Sequence, residues 1–379
     1  MKKSLGIYIH IPFCLKKCHY CDFCSFPGSS DRRMRAYSDE LCRRMREELP
    51  SPDGWTVDTV YFGGGTPTLL PLDCFEQIMA TLRGHTDLSP SAEITCECNP
   101  ATASLSLLRS LRVLGVNRLS IGLQSIHDRE LALLGRAHSF EDFLTTLRDA
   151  REAGFDNISA DLMYGIPEGT LESFRQSLST LASLSPEHIS AYGLKIEEGT
   201  VFDRQRESLI LPDEDTEFAM YCAMSEILGE HGYRKYEISN FAKPGRESRH
   251  NLRYWKRLDY LGFGVAAHSC LEGVRFGNSR SLSDFLCGRD ITEERYALTE
   301  REALEEWIML GLRLGKGLDA KEWEMRLGAS PYTVIPGLHD WISAGYMKHE
   351  NGQIFFTDKG FFVSNAILAQ LLDFPEKNC

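Results

Sequence analysis

Along the first half of the chain, short apolar runs alternate with longer stretches in which apolar positions recur every three to four residues. The short runs are "LGIYIHI" (5–11), "VDTVYF" (57–62), "EITCE" (93–97), "NRLSIG" (117–122), "NISADLM" (157–163) and "EHISAYGL" (187–194). Their length and their β-branched and aromatic content predict strands. The stretches between them include "DRRMRAYSDELCRRMREEL", "PLDCFEQIMATLRG", "SLSLLRSLRVLG", "SFEDFLTTLRDAREAG" and "TLESFRQSLSTLASL", and they carry the helical period. Six βα units in succession imply an α/β fold with a parallel sheet and helices outside it. Six units fall short of the eight that close a barrel, so the expected architecture is an open, partial (βα)6 barrel.

From residue 234 the pattern turns irregular, through "YEISNFAKPG", "RHNLRYW" and "YLGFGVAAHS". After about residue 295 it is helical again in "EREALEEWIMLGLRLG" and "DAKEWEMRLG", followed by a hairpin signal at Asn351-Gly352. A helix pair followed by a hairpin predicts a small, mostly helical, winged-helix-like unit. The expected organisation is a barrel over 1–232, a linking region over 233–294 and a C-terminal domain over 295–379. No internal repeat or low-complexity segment interrupts it.

Composition narrows the function classes. The chain has 379 residues, which suits one barrel with an appendage, and its net charge of −12 comes with no basic stripe, so nucleic acid is not an expected partner. The opening "SLGIYIHIPFC" is short, contains His10 and Pro12 and lacks a small-residue cleavage site, so no signal peptide is expected. No run of about 18 apolar residues predicts a membrane span. Twelve cysteines in so large a chain, sparse outside one cluster, point to a reducing cytoplasm rather than a disulfide framework. Cys42, Cys74, Cys222, Cys270, Cys287 and Cys379 read as ordinary thiols.

The cluster lies in "HIPFCLKKCHYCDFCSF", residues 10–26. Cys14, Cys18 and Cys21, spaced CxxxCxxC on the loop after the first strand, can reach a common centre. The spacing alone leaves two options. One is zinc with His19 or Cys24 as fourth ligand, and the other is a 4Fe–4S cluster whose three cysteines leave one iron open. After the second strand, "FGGGTPT" removes side chains at Gly63 to Gly65 so that backbone can approach a ligand, and Pro67 stiffens the turn. The third strand ends at Glu97 in "ECNP", the fourth at Gln124 in "GLQS", and the fifth contains Asp161 in "ADLMYGIP". These polar residues share the strand edge where barrels place their active sites.

On these motifs the chain resembles the radical S-adenosylmethionine (SAM) superfamily. In that family the three cysteines bind a 4Fe–4S cluster, and the open iron chelates the amino and carboxylate groups of SAM. One electron then cleaves the sulfonium to give a 5′-deoxyadenosyl radical. The resemblance implies that Gly64, Gly65 and Thr66 contact SAM and that Glu97, Gln124 and Asp161 line its site. It further implies that Arg136 in "LLGRAHS" reaches the site from the following helix, that Tyr8 and Tyr20 flank the cluster, and that His10 lies near it.

Within the superfamily the chain resembles the oxygen-independent coproporphyrinogen III oxidase group, which includes the heme chaperones of the HemW type. That likeness spans nearly the whole chain, from "IHIPFC" and "NRLSIGLQS" to the C-terminal "EEWIMLGLRL" and "TDKGF". The oxidases carry CxxxCxxCxC, whereas this chain has Phe23 at the last position. The chaperone branch carries CxxxCxxCxF and HNxxYW, and this chain reads "HNLRYW" from His250 to Trp255. The resemblance implies His250 as a heme iron ligand beside Tyr254 and Trp255. Two departures stand out. Cys24 replaces a polar or aromatic residue and reads as a bystander, while Lys195 replaces a small residue and would crowd a second-SAM pocket.

The implied function is a cytoplasmic heme chaperone that holds a 4Fe–4S cluster, SAM and heme. It would pass heme to acceptor heme proteins such as respiratory-chain components, reach a membrane only through those partners, and form a homodimer. Its electron donor is not named by the sequence. The cluster and SAM would serve dimerisation or gating instead of turnover. The rival reading is an oxygen-independent coproporphyrinogen III dehydrogenase of porphyrin biosynthesis, which converts two propionates to vinyls by oxidative decarboxylation. A zinc-bound interaction module is the third.

Overall fold

The structure, a computed structural model, describes residues 2–373; Cys379 lies outside them. The six expected strands are present: β1 (Lys3–Ile11), β2 (Trp55–Gly64), β3 (Asp87–Cys98), β4 (Arg118–Gln124), β5 (Ile158–Tyr164) and β6 (His188–Gly193). They run parallel in that order. Four of the helices between them start at side-chain caps, Ser30, Ser104, Ser139 and Thr170, each accepting from a backbone N–H in the first turn.

The strands alternate between two kinds of position. Leu5, Ile7, Ile9 and Ile11 of β1 are fully buried, as are Val60 and Phe62, Leu119 and Ile121, and Ile158 and Ala160. These residues form the main apolar core. Because a strand has a period of two, the intervening residues face the other way. They are Tyr8 and His10, Tyr61, Thr95 and Glu97, Arg118 and Ser120, Ser159 and Asp161, Ser190 and Tyr192. The barrel therefore has an apolar exterior under its helices and a polar interior.

The region expected as a linker, 233–294, is part of the same sheet. Its strands are β7 (Arg234–Lys235), β8 (Asn240–Ala242), β9 (Tyr260–Phe263), β10 (His268–Leu271), β11 (Val274–Asn278) and β12 (Thr292–Ala297). Among the described residues the sheet has 12 strands in the order β12-β11-β10-β9-β1-β2-β3-β4-β5-β6-β8-β7. β9 adds parallel to β1, and β8 adds antiparallel to β6. The physical reason is edge protection: an open barrel leaves unpaired backbone on its first and last strands, and these segments satisfy it.

The C-terminal unit has the expected plan. The helices Glu300–Leu312, Ala320–Leu327 and Leu338–Ser343 are joined by a hairpin of β14 (Met347–Glu350) and β15 (Gln353–Phe356), with β13 (Leu318–Asp319) beside β15. Asn351 and Gly352 form the two-residue turn with φ of 52° and 78°, the left-handed pair that an Asn-Gly hairpin prefers. No helix among the described residues is long and apolar enough to cross a membrane.

Candidate cluster and SAM site

The strands' C-terminal ends surround a cavity of about 470 Å³. Cys14, Cys18 and Cys21 line it together with Tyr20, Gly64, Gly65, Thr66, Glu97, Gln124, Arg136 and Asp161. Two of the residues expected at the site, Tyr8 and His250, do not reach its wall.

The cysteine loop is held in place from below. His10 sits between the Tyr8 hydroxyl, 2.9 Å from Nδ1, and the Cys24 carbonyl, 2.9 Å from Nε2. Burial pushes its imidazole down to about 4, so the ring is neutral near pH 7. It then accepts from Tyr8 and donates to Cys24. The glycine loop packs directly on this arrangement. Gly64 has φ of +105°, and a Cβ there would fall 2.4 Å from the His10 ring, while one at Gly65 would fall 2.6 Å from the Phe13 carbonyl. Glycine is therefore required for packing on the cysteine loop as well as for ligand approach. The Thr66 hydroxyl donates to Cys14 Sγ at 3.6 Å, and the Arg136 guanidinium to Cys18 Sγ at 3.5 Å.

Glu97 is the most constrained acid. It accepts from the Tyr61 hydroxyl at 2.9 Å and from the Gly64 N–H at 3.0 Å. Burial outweighs both bonds and raises its carboxyl to about 7. Asp161 accepts from Ser120 at 3.2 Å, and burial raises it too. Gln124 adopts the left-handed conformation, φ 74°, at a register break between β4 and β5; backbone strain of this kind marks functional positions.

Arg136 reaches the site from a loop, which corrects the expected helix. The helix ends at Leu133, and Gly135 at φ +70° turns the chain back so that Arg136 donates to the Gly122 carbonyl at 2.8 Å. Tyr8 stands behind the wall, stacked on Tyr61 at 6.2 Å, so it supports the site without bordering it.

His250 also departs from the expectation. It is 1% exposed. Its Nδ1 is 2.9 Å from Thr59 Oγ1, its Nε2 is 2.8 Å from the Tyr254 hydroxyl, and its ring stacks on Tyr61 at 5.2 Å. Burial, reinforced by Arg253, lowers its imidazole to about 3. Both nitrogens are engaged and no face is open to a macrocycle. The HNxxYW helix, Arg249–Trp255, instead floors the barrel, and of its motif residues only Asn251 lines the cavity.

The residues present suit a three-thiolate cluster. Cys24 is buried and its thiol points to the Arg280 carbonyl at 3.8 Å, away from the cavity. His19 is held by the Leu133 carbonyl at 2.8 Å. Neither candidate fourth ligand for zinc joins the three thiols. The buried Nε atoms of Arg118 and Arg136 have no hydrogen-bond partner, which suits a ligand rich in carboxylate and hydroxyl oxygens.

Sequence reading missed part of the wall: Tyr61, Cys98, Asn99, Arg118, Ser120, Ser190 and Tyr192 line the same cavity. Period-two counting back along the strands from Glu97, Gln124 and Asp161 would have found Arg118 and Ser120, since these share the inner face.

Residues 8–181 match the Radical SAM superfamily and residues 298–363 the HemN C-terminal domain. The chain is 36% identical to the heme chaperone HemW of Bacillus subtilis (strain 168), over 96% of this chain and 98% of that protein. It is 32% identical to the heme chaperone HemW of Escherichia coli (strain K12), over 97% and 98%. Among solved structures it is similar to coproporphyrinogen III oxidase (HemN) from Escherichia coli, a radical SAM enzyme, with a TM-score of 0.83 and 25% identity over 98% of this chain and 91% of that one.

Proposed function

The chain belongs to the HemW family of heme chaperones, and from that premise we propose that it binds heme and hands it to acceptor heme proteins, respiratory-chain components among them, in the cytoplasm. The observation that carries this reading is the wall of three thiols facing Gly64, Gly65, Thr66, Glu97, Gln124, Arg136 and Asp161, with Phe23 where the oxidases carry a further cysteine. When bound there, a 4Fe–4S cluster with one open iron supplies a chelation point for SAM and a single electron.

The chain's own residues do the rest. Cys14, Cys18 and Cys21 would hold the cluster, and Thr66 and Arg136 donate to the thiols of Cys14 and Cys18. The Glu97 carboxylate, already aligned by Tyr61 and Gly64, accepts hydrogen bonds from SAM's ammonium or ribose groups. Arg136 lies within reach of the SAM carboxylate. In this reading SAM gates or dimerises the carrier, which works as a homodimer.

The likeness to HemN favours a second reading, oxidative decarboxylation of coproporphyrinogen III. Against it stand Phe23 and Lys195, which faces the cavity and pairs with Glu197 at 2.8 Å where a second SAM would need room. The test is anaerobic incubation of cluster-reconstituted protein with SAM, a reductant and coproporphyrinogen III, with tetrapyrroles followed by chromatography. The chaperone reading predicts unchanged substrate with an intact cluster; accumulation of protoporphyrinogen would establish the oxidase.

A further inference from the structure

The mouth of the cavity differs from its interior. Phe23 is 69% exposed and Leu15 54%, and both sit on the cysteine loop with their apolar surface in water. Lys17 Nζ donates to the Phe23 backbone carbonyl at 3.3 Å, which ties this ammonium to the stretch of loop that carries the exposed ring. Lys16 and Lys17 border the mouth on this side, and Lys195 borders it from the segment after β6. Of the carboxylates there, Asp22 is taken by Arg280 at 3.2 Å and Glu197 by Lys195. Four cations thus meet two acids, in a chain whose net charge is −12.

An exposed aromatic side chain on the same loop as two lysines that form no salt bridge among the described residues suits a flat, apolar macrocycle bearing two carboxylates. The interior does not suit it. Its wall at the strand ends carries the charged Glu97, Arg118, Arg136 and Asp161, and His250 is shut beneath the floor with both nitrogens in use.

We propose that heme docks across this mouth, its ring on Phe23 and Leu15 and its propionates on Lys16 and Lys17. The assignment rests on the heme-chaperone reading and locates the cargo within it. It places heme over the cluster loop, so that loading the cavity and loading the mouth are coupled through residues 14–23.

The test is an anaerobic titration of the full-length, cluster-reconstituted protein with heme and with heme dimethyl ester, followed in the Soret band. Phe23→Ser and the pair Lys16→Glu/Lys17→Glu are each expected to weaken heme binding about ten-fold with the cluster absorbance retained, while His250→Ala and the distant Lys321→Glu leave heme affinity near that of the parent. The parent should bind the ester more weakly than heme, and the lysine variant should no longer distinguish the two. Unchanged affinity in the Phe23 and lysine variants, or an ester effect that survives the lysine reversal, overturns the mouth site and leaves the chaperone reading standing. A parent that takes up no heme overturns the reading itself. If Phe23→Ser sheds its cluster, the ester comparison in the lysine variant decides alone.

Discussion

Glu97 shows how a single residue links stability to binding. Its carboxyl is raised to about 7 by burial, so between about 4.5 and about 7 the folded chain holds a proton that the unfolded chain has released. Stability from this residue therefore falls as pH rises through that window. If Glu97 takes SAM's ammonium or ribose groups as proposed, SAM binding gains as the carboxylate forms. SAM affinity measured by equilibrium dialysis should tighten as pH rises through about 7 and level off above it, and Glu97→Gln should flatten the profile. At the same scale, Cys14→Ser, Cys18→Ser and Cys21→Ser should each abolish the cluster's visible absorbance, whereas Cys24→Ser should keep it with full iron and no zinc; a Cys24 variant without a cluster would contradict the three-thiolate assignment. The three thiols and the glycine loop that line the cavity were legible because their spacing is local. Arg118 needed period-two counting back from Gln124, and Tyr192 was not legible, since a tyrosine is an ordinary strand residue until the sheet turns it inward.

The helix Arg249–Trp255 is the element whose role the sequence concealed. Glu93 accepts from the N–H groups of Arg249 and His250 at its N-terminus, a favourable place for a carboxylate. Arg253, 2% exposed, pairs with Asp58 and donates to Ser4 and to the Asp259 carbonyl. Its side chain fills the space left by Gly6, where a Cβ would fall 2.5 Å away. One arginine thus ties the helix to β1, to β2 through Asp58 just inside it, and to the turn before β9. Arg253→Met should cost about 2–3 kcal/mol in urea unfolding, because the guanidinium's bonds to Asp58 and to the Ser4 and Asp259 carbonyls are lost, while the Ser4 hydroxyl still reaches Asp58 and the Gly6 N–H the Asp259 carbonyl. The βα units could be read from periodicity. The pairing of β9 with β1 could not, because a four-residue apolar run gives no sign of a partner some 250 positions away in the chain.

At the scale of the molecule, the barrel and the C-terminal unit meet at Lys235. Its ammonium pairs with Asp358 and lies 4.2 Å from the Tyr221 ring and 5.3 Å from those of Phe241 and Phe361. Burial lowers this lysine from its ordinary value despite the carboxylate. Asp358→Asn should weaken the junction by about 2 kcal/mol, a figure reduced by the partial exposure of Asp358, and should show as earlier loss of the C-terminal unit in limited proteolysis. The two units were legible as a change of pattern near residue 295, but the ion pair joining them was not, since it links positions far apart in sequence. A carrier has to hold heme and also release it, so heme delivery is the decisive measurement. Reconstituted protein loaded with heme and freed of excess is mixed with a heme-free acceptor, and the Soret spectrum of each is read after separation. Heme should stay with the carrier through the first separation and then move to the acceptor. Heme lost before the acceptor is added, or retained in its presence, would contradict it.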